Sequence, residues 1–247
     1  MTAVLVTGGA KRLGAAIVRR LAAAGYRVVI HYGRSEGDAR ALADEVGALG
    51  TLGGDLAALD GLGDLWERAC EVANGPIDGL VNSASEFVFD RPEEIRPDLA
   101  HRLFAVNCLA PAMLTAALAR QGRGGAVVNL LDQKLANPNP DFFSYTLSKA
   151  ALEHATTLTA QAFAPGVRVN AVAPGLTLPS GDQTEAEFAA VARANLLQRP
   201  VGAEAIADAV AWLLCAESVT GQTLFVDSGQ RFIRRDGDVM FEGRERG

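Results

Sequence analysis

The chain has 247 residues, 23 Lys+Arg against 29 Asp+Glu for a formal charge of −6, and 49% hydrophobic against 21% charged residues. That balance supplies enough apolar surface for one large core and is incompatible with a disordered chain. The acidic excess also argues against general binding to nucleic acid or anionic membranes, both of which need a basic face.

In chain order, apolar runs of strand length alternate with stretches of helical period. Ala3–Thr7 reads as a strand, Leu13–Ala24 as a helix stopped by Gly25, Arg27–Tyr32 as a second strand and Glu36–Val46 as a second helix. A short strand is expected to end near Asp55, followed by a helix over Leu59–Ala73 and a fourth strand over Ile77–Asn82. Two helical stretches come next, the second from about Pro97 to Arg120. Gly125–Leu131 is the fifth strand, Phe142–Ala164 a long helix, Val167–Val172 the sixth strand and Thr223–Asp227 the seventh. Trp66 and Trp212 fall on helices at core-like spacing.

Near-continuous apolar strands separated by helices predict an α/β fold: a single Rossmann-type, doubly wound domain over 1–230 with a seven-stranded, mostly parallel sheet. Within it, Leu178–Pro200 carries a helical stretch with Phe188, Val191 and Leu196, either a substrate lid or a fixed surface helix. The charged tail Arg231–Gly247 is either solvated or packed over a pocket or a neighbouring subunit. No leader-like segment and no uninterrupted apolar run of membrane-spanning length are read. Cys70, Cys108 and Cys215 lack the spacing of a disulfide framework or zinc site, so three buried small hydrophobes in a reducing, cytoplasmic setting are expected, with no metal.

Directly after the first strand comes Thr7-Gly8-Gly9-Ala10-Lys11-Arg12-Leu13-Gly14, opening the first helix. Glycines let the backbone approach a phosphate closely, and the helix N-terminus offers free N–H groups and a positive dipole end. The second strand ends in His31-Tyr32-Gly33-Arg34-Ser35. A carboxylate, which would accept from the ribose 2′-hydroxyl of NAD, is missing there. A guanidinium and a hydroxyl stand in its place, which suits a 2′-phosphate and favours NADP(H). Asp38 is the dissenting acid, but it lies inside the next helix.

Tyr145 and Lys149 stand four residues apart on one helix face, near the sheet edge where ligands bind. An adjacent ammonium favours the phenolate and draws its pKa toward the working range of an acid–base catalyst. The glycine loop, Asn82-Ser83-Ala84, Asn107, Tyr145-x-x-x-Lys149 and Pro174-Gly175 together resemble a short-chain dehydrogenase/reductase, over residues 3 to about 229. The resemblance implies Tyr145 as proton donor, Lys149 as the residue that holds the nicotinamide ribose and lowers the tyrosine pKa, and Asn107 as support for a water relay. It implies that Pro174, Gly175 and Thr177 lie by the nicotinamide, and Asp55 and Leu56 by the adenine. Gly8, Lys11, Arg12, Leu13 and Gly14 complete the implied cofactor wall, with His31, Tyr32, Arg34, Ser35, Asn82, Ser83 and Ala84. A homotetramer is implied by the same resemblance.

The departures are more informative. Arg12 stands where the family's second loop glycine is usual, and Asp132 stands where the family has its catalytic serine, 13 residues before the tyrosine. Lys11-Arg12-Leu13-Gly14, His31-Tyr32-x-Arg34-Ser35, Asp132 and Phe87 together resemble pteridine reductases and dihydromonapterin or dihydrofolate reductases of this fold, which use NADPH. That subgroup implies Phe87 stacking on the pterin, and Arg12 binding both the cofactor phosphate and the pterin's polar edge.

Chemistry supports Asp132 independently. A serine donates a hydrogen bond to a ketone oxygen, whereas an ionised carboxylate only accepts and therefore suits the N–H and amino donors of a reduced pterin. The alternatives are an outward-turned Asp132 and a Phe87 that is simply core. His31 reads as cofactor-adjacent, His101 and His154 as surface residues, and Lys134 as a solvated loop position. The expected activity is NADPH-dependent reduction of a pteridine (dihydromonapterin, dihydrobiopterin or dihydrofolate type). A reductase of ketones or acyl substrates and a non-catalytic NADP(H)-binding regulator are the alternatives.

Overall fold

A computed structural model describes residues 2–179 and 183–238. Strands β1 (Ala3–Thr7), β2 (Arg27–Tyr32), β3 (Gly50–Gly53), β4 (Gly79–Asn82), β5 (Gly125–Leu130), β6 (Val167–Pro174) and β7 (Thr223–Val226) form one sheet, ordered β3-β2-β1-β4-β5-β6-β7. Every neighbouring pair is parallel, so the sheet expected to be mostly parallel is wholly so.

Parallel neighbours need crossovers. These carry helices α1 (Arg12–Ala23), α2 (Glu36–Val46), α3 (Leu62–Ala73), α4 (Pro97–Phe104), α5 (Ala110–Arg120), α6 (Phe143–Phe163), α7 (Glu185–Val191) and α8 (Ala203–Cys215).

Strand side chains alternate between faces, and the two faces hold separate cores. Val4, Val6, Val128 and Val172 pack with Ile17, Val18 and Leu21 of α1 and Ile206, Val210 and Leu213 of α8. Leu5, Leu80 and Val127 point the other way, onto Leu65 and Trp66 of α3 and Leu114 and Leu118 of α5. The chain winds outward from β1 to β3, then returns to place β4 on the other side of β1. That reversal leaves a crevice at the carboxyl ends of β1 and β4, the place where such sheets take ligands.

Several expectations need correction. Of the two helical stretches expected after β4, the first is only a 3₁₀ turn at Pro92–Glu94, entered from an extended Arg91. The second runs from Pro97 to Arg120 but is widened by a π-helical turn at Ala105–Leu109. It is long and apolar enough to cross a membrane, yet most of its apolar window is buried inside the protein.

Trp212 is 51% exposed on the outer side of α8, where helical spacing alone does not reveal which side meets the sheet. Only Cys108 is buried; Cys70 is half-buried and Cys215, at the end of α8, is exposed. His101 and His154 are exposed, as expected. In the segment expected to form a lid, α7 starts from a Thr184–Glu187 capping box and ends at Val191, so Leu196 lies beyond it and is exposed. Residues 180–182 of that segment and 239–247 of the tail lie outside the described residues.

Candidate active site

The loop after β1 is shaped by close approach. A Cβ on Gly14 would stand 2.1 Å from the Gly8 carbonyl oxygen, and one on Gly8 would stand 2.7 Å from Ala84 Cα. Side chains at either position would force the loop open, so the first turn of α1 can sit tight against β1 and β4 only with glycine there. Arg12 occupies the family's glycine position and keeps the backbone that glycine allows, with φ of 52°. Its guanidinium donates to the Pro179 carbonyl and so spans the crevice from the β1 side to the β6 side.

At the end of β2, His31 is buried and ties two loops together. Gly8 N–H donates to its Nδ1 at 3.3 Å, so Nε2–H is left to donate to the Gly54 carbonyl at 3.1 Å. Burial drives its pKa down to about 4, so the ring is neutral and is a structural clasp beside the cofactor loop. Lys11 pairs with Asp38 at 2.9 Å, which neutralises the dissenting acid. Arg34 stands on the crevice wall. Asp55 caps Ala57 N–H at 3.0 Å and faces Arg102 at 3.3 Å, and these contacts hold its carboxyl below the usual range.

The reactive end forms where the β5–α6 loop meets α6. Tyr145 Oη donates to Asp132 Oδ2 at 2.9 Å, while Asp132 Oδ1 accepts from Lys134 N–H at 2.8 Å. Asp132 therefore caps the 3₁₀ turn at Gln133–Leu135 with one oxygen and aims the other inward at the tyrosine. Burial raises the Asp132 pKa against the two hydrogen bonds it accepts. Burial, followed by the Asp132 charge, lifts Tyr145 well above its ordinary value. The phenol is thus held protonated, with burial and Asp132 raising it, the direction expected of Asp132, against the opposing ammonium of Lys149. Lys149 Nζ donates to the Leu130 carbonyl at 2.7 Å, and burial lowers its pKa to about 8.

Asn107 sits in the π-helical turn and is fully buried. Its Oδ1 accepts from Glu86 N–H at 2.9 Å and Ser85 Oγ at 3.1 Å, and its Nδ2 donates to Ser148 Oγ at 3.0 Å. Ser148 donates in turn to the Tyr145 carbonyl at 2.7 Å. Asn107 thereby locks the loop after β4 to the helical turn that carries Tyr145. The widened turn is the local feature that lets it face both, a common use of π-bulges.

Phe87 lines the crevice, 39% exposed, stacked on Phe142 at 3.9 Å between centroids and edge-on to Tyr145 at 4.7 Å. It is a wall residue, not core. Lys134 is the clearest correction: it is 3% exposed, and Nζ donates to the Asp141 carbonyl at 2.6 Å and pairs with Asp238 at 3.1 Å.

These residues surround one crevice of about 850 Å³. Gly8, Lys11, Arg12, Leu13, Gly14, His31, Arg34, Asp55, Leu56, Ser83 and Ala84 line its outer part, and Asp132, Tyr145, Lys149, Pro174, Gly175 and Thr177 the inner. Four expected residues lie behind the wall. Tyr32 packs against Gly53, Ser35 starts α2, Asn107 is buried as described, and Asn82 donates to Asn129 Oδ1 at 2.8 Å inside the sheet.

The sequence reading missed Arg102, which grips Glu86 at 2.6 Å and reaches Asp55 across the crevice. It also missed Gln230, whose Oε1 accepts from Leu176 N–H at 2.7 Å, while Arg235 and Asp238 on the wall bear out the alternative of a tail packed over a pocket without having been singled out. An arginine at the exposed end of a helix and a charged tail carry no periodic or motif signal.

The enoyl-(acyl carrier protein) reductase family profile matches residues 8–231. The chain belongs to the short-chain dehydrogenase/reductase family. It is therefore an oxidoreductase of that family, and its relatives narrow the comparison. Pteridine reductase 1 of Leishmania tarentolae is 32% identical, over 93% of this chain and 96% of that protein. Dihydromonapterin reductase of Klebsiella pneumoniae is 27% identical, over 92% and 95%. The structure of FolM alternative dihydrofolate reductase 1 from Brucella canis, complexed with NADP, superposes with a TM-score of 0.90 at 38% identity, covering 95% of each chain.

Proposed function

We propose that this oxidoreductase uses NADPH to reduce a dihydropteridine, with dihydromonapterin or a close relative as the substrate and dihydrofolate as a second candidate. The single observation that carries the pteridine reading is Asp132, an inward-facing acceptor bonded to Tyr145 where the family commonly has a serine donor. The relatives named for pteridine, dihydromonapterin and dihydrofolate reduction support it.

The residues present fit a 2′-phosphorylated dinucleotide. Gly8 and Gly14 leave no room for side chains, α1 starts beside them, and Arg34 lines the crevice just past the end of β2. Lys11, Arg12 and Arg34 line the crevice and supply the positive field for the phosphates. When bound, NADPH supplies the hydride.

The chain's own residues do the rest. Tyr145 Oη gives its proton to the nitrogen of the C=N bond as the carbon accepts hydride, and the phenolate left behind is compensated by Lys149. Asp132, ionised, orients the substrate's N–H and amino donors and keeps Tyr145 protonated until transfer. Phe87 covers the ring face, and Arg12 closes over it from the glycine loop. We also propose a cytoplasmic homotetramer. The unpaired cysteines fit the first, and the exposed apolar Leu109, Met113, Leu147 and Leu158 around α5 and α6 fit the second.

The test is NADPH oxidation with 7,8-dihydromonapterin, 7,8-dihydrofolate and a panel of simple ketones. Turnover confined to the dihydropteridines is expected. Turnover of ketones alone would replace this reading with a carbonyl reductase, and NADPH binding without any turnover would leave a regulator.

A further inference from the structure

Residues 231–238, the described part of the charged segment after β7, stay packed on the protein. Asn137 Nδ2 donates to the Ile233 carbonyl at 2.7 Å, and Arg235 Nη2 donates to the Ala194 carbonyl at 3.0 Å. Asp238 N–H donates to Asp141 Oδ2 at 2.8 Å, and the Asp238 carboxylate pairs with Lys134. Residues 231–238 thus form a strap that ties the β5–α6 loop to the segment after α7 and ends at the wall of the reactive site. The Lys134–Asp238 pair is nearly sequestered, at 4% and 15% side-chain exposure. An ion pair this dry costs desolvation and is weak evidence for stability alone, so a second use is worth seeking.

We propose that Asp238 is a positioning residue of the active site, clasped by Lys134 so that its negative charge faces the Asp132–Tyr145 pair and helps hold the tyrosine proton for transfer. Both ends of the clasp belong to the crevice wall. Lys134 follows Asp132 by two residues and gives it a backbone N–H, so the residue that clasps the strap and the acceptor that holds the Tyr145 hydroxyl share one short loop. The field of Asp238 raises both Asp132 and Tyr145, in the same sense as burial.

Other charges face the pair from the surrounding elements. Lys149 of α6, Lys134 of the β5–α6 loop, Arg235 of the strap, Arg12 of the glycine loop, and Glu86 and Arg102 line the same crevice, and Asp141 lies behind Lys134 with Arg91. Asp141 is engaged by Arg91 at 3.2 Å and Glu86 by Arg102 at 2.6 Å. Asp238 acts within this largely paired set, through its placement at the end of the strap. The assignment rests on Tyr145 being the proton donor proposed above.

The experiment is the pH profile of kcat/KM for Asp238→Asn, read on whichever substrate the wild type reduces. An inert pteridine beside an active ketone would therefore sink the substrate reading while still testing this one. Asparagine keeps an acceptor for Lys134 and removes the charge. The alkaline limb reports the coupled Lys149–Tyr145 pair, with Lys149 near 8, and loss of a nearby negative charge lowers both groups, so the limb is expected to move down by at least about half a pH unit. Asp238→Glu is expected to restore it, and Asp236→Asn, at an exposed position of the same strap, to leave it in place. If Asp238→Asn is too unstable to assay, Asp238→Ser is expected to give the same shift. An alkaline limb unmoved in both charge-removing variants would overturn the proposal and leave Asp238 as a clasp only.

Discussion

At the scale of single residues, two positions set the chemistry by what they lack. Asp132 lacks a proton to donate when ionised, and on the proposed reading its site takes a donor-bearing substrate edge. The end of β2 lacks a carboxylate, so nothing there repels a 2′-phosphate. Arg34 lines that wall near Asp55, whose carboxyl is already partnered by Ala57 N–H and Arg102. Arg34→Ala is therefore expected to raise the KM for NADPH by about 10- to 100-fold, the equivalent of one or two strong charge-assisted contacts, with little change for NADH. Equal losses with both cofactors would place the 2′-phosphate elsewhere.

At the scale of elements, the join between the β1–α1 loop and the end of β3 is made by one buried imidazole. With His31 depressed to about 4 from an ordinary 6.5, the unfolded chain takes up the proton first as pH falls. The contribution is complete above about pH 6.5 and is lost progressively toward pH 4, about 3 kcal/mol in all. Urea unfolding across that range is expected to show this decline, and His31→Gln a shallower one. An identical acid slope in the variant would contradict the assignment.

Most elements were legible because they repeat a period. β1, α1, β2, α2 and the Pro97–Arg120 helix begin and end within a residue or so of the positions that apolar spacing and, for α1, Gly25 indicate. The π-helical turn at Ala105–Leu109 was not legible, since its extra residue is selected by Asn107 bonding to Ser85, Glu86 and Ser148, partners distant in sequence. Nor was the exposure of Trp212 or the burial of Lys134. Each depends on which side of an element meets its neighbour, and a residue's type does not encode that.

At the scale of the whole molecule, all the strand ends from β1 to β6 converge on one crevice, with the proposed cofactor residues and the Tyr145–Asp132 pair together on its wall. The motif residues of the site were legible because the family spacing places them after strands. The strap and the Arg102 bridge were not, because they are long-range ion pairs. The exposed apolar residues around α5 and α6 lead us to expect a particle of four times the chain mass by light scattering. A monodisperse monomer would contradict that assembly.

The account turns on Asp132, and the most direct measurement replaces it. kcat/KM for 7,8-dihydromonapterin and for a simple ketone should be compared in the wild type and in Asp132→Ser. The predicted result is a loss of at least about 10²-fold on the dihydropterin, with ketone turnover retained or raised, because the variant restores a donor and removes the acceptor. An Asp132→Ser enzyme that reduces dihydromonapterin as well as the wild type would contradict the role given to this carboxylate, and with it the reason for reading the site as one for pteridines.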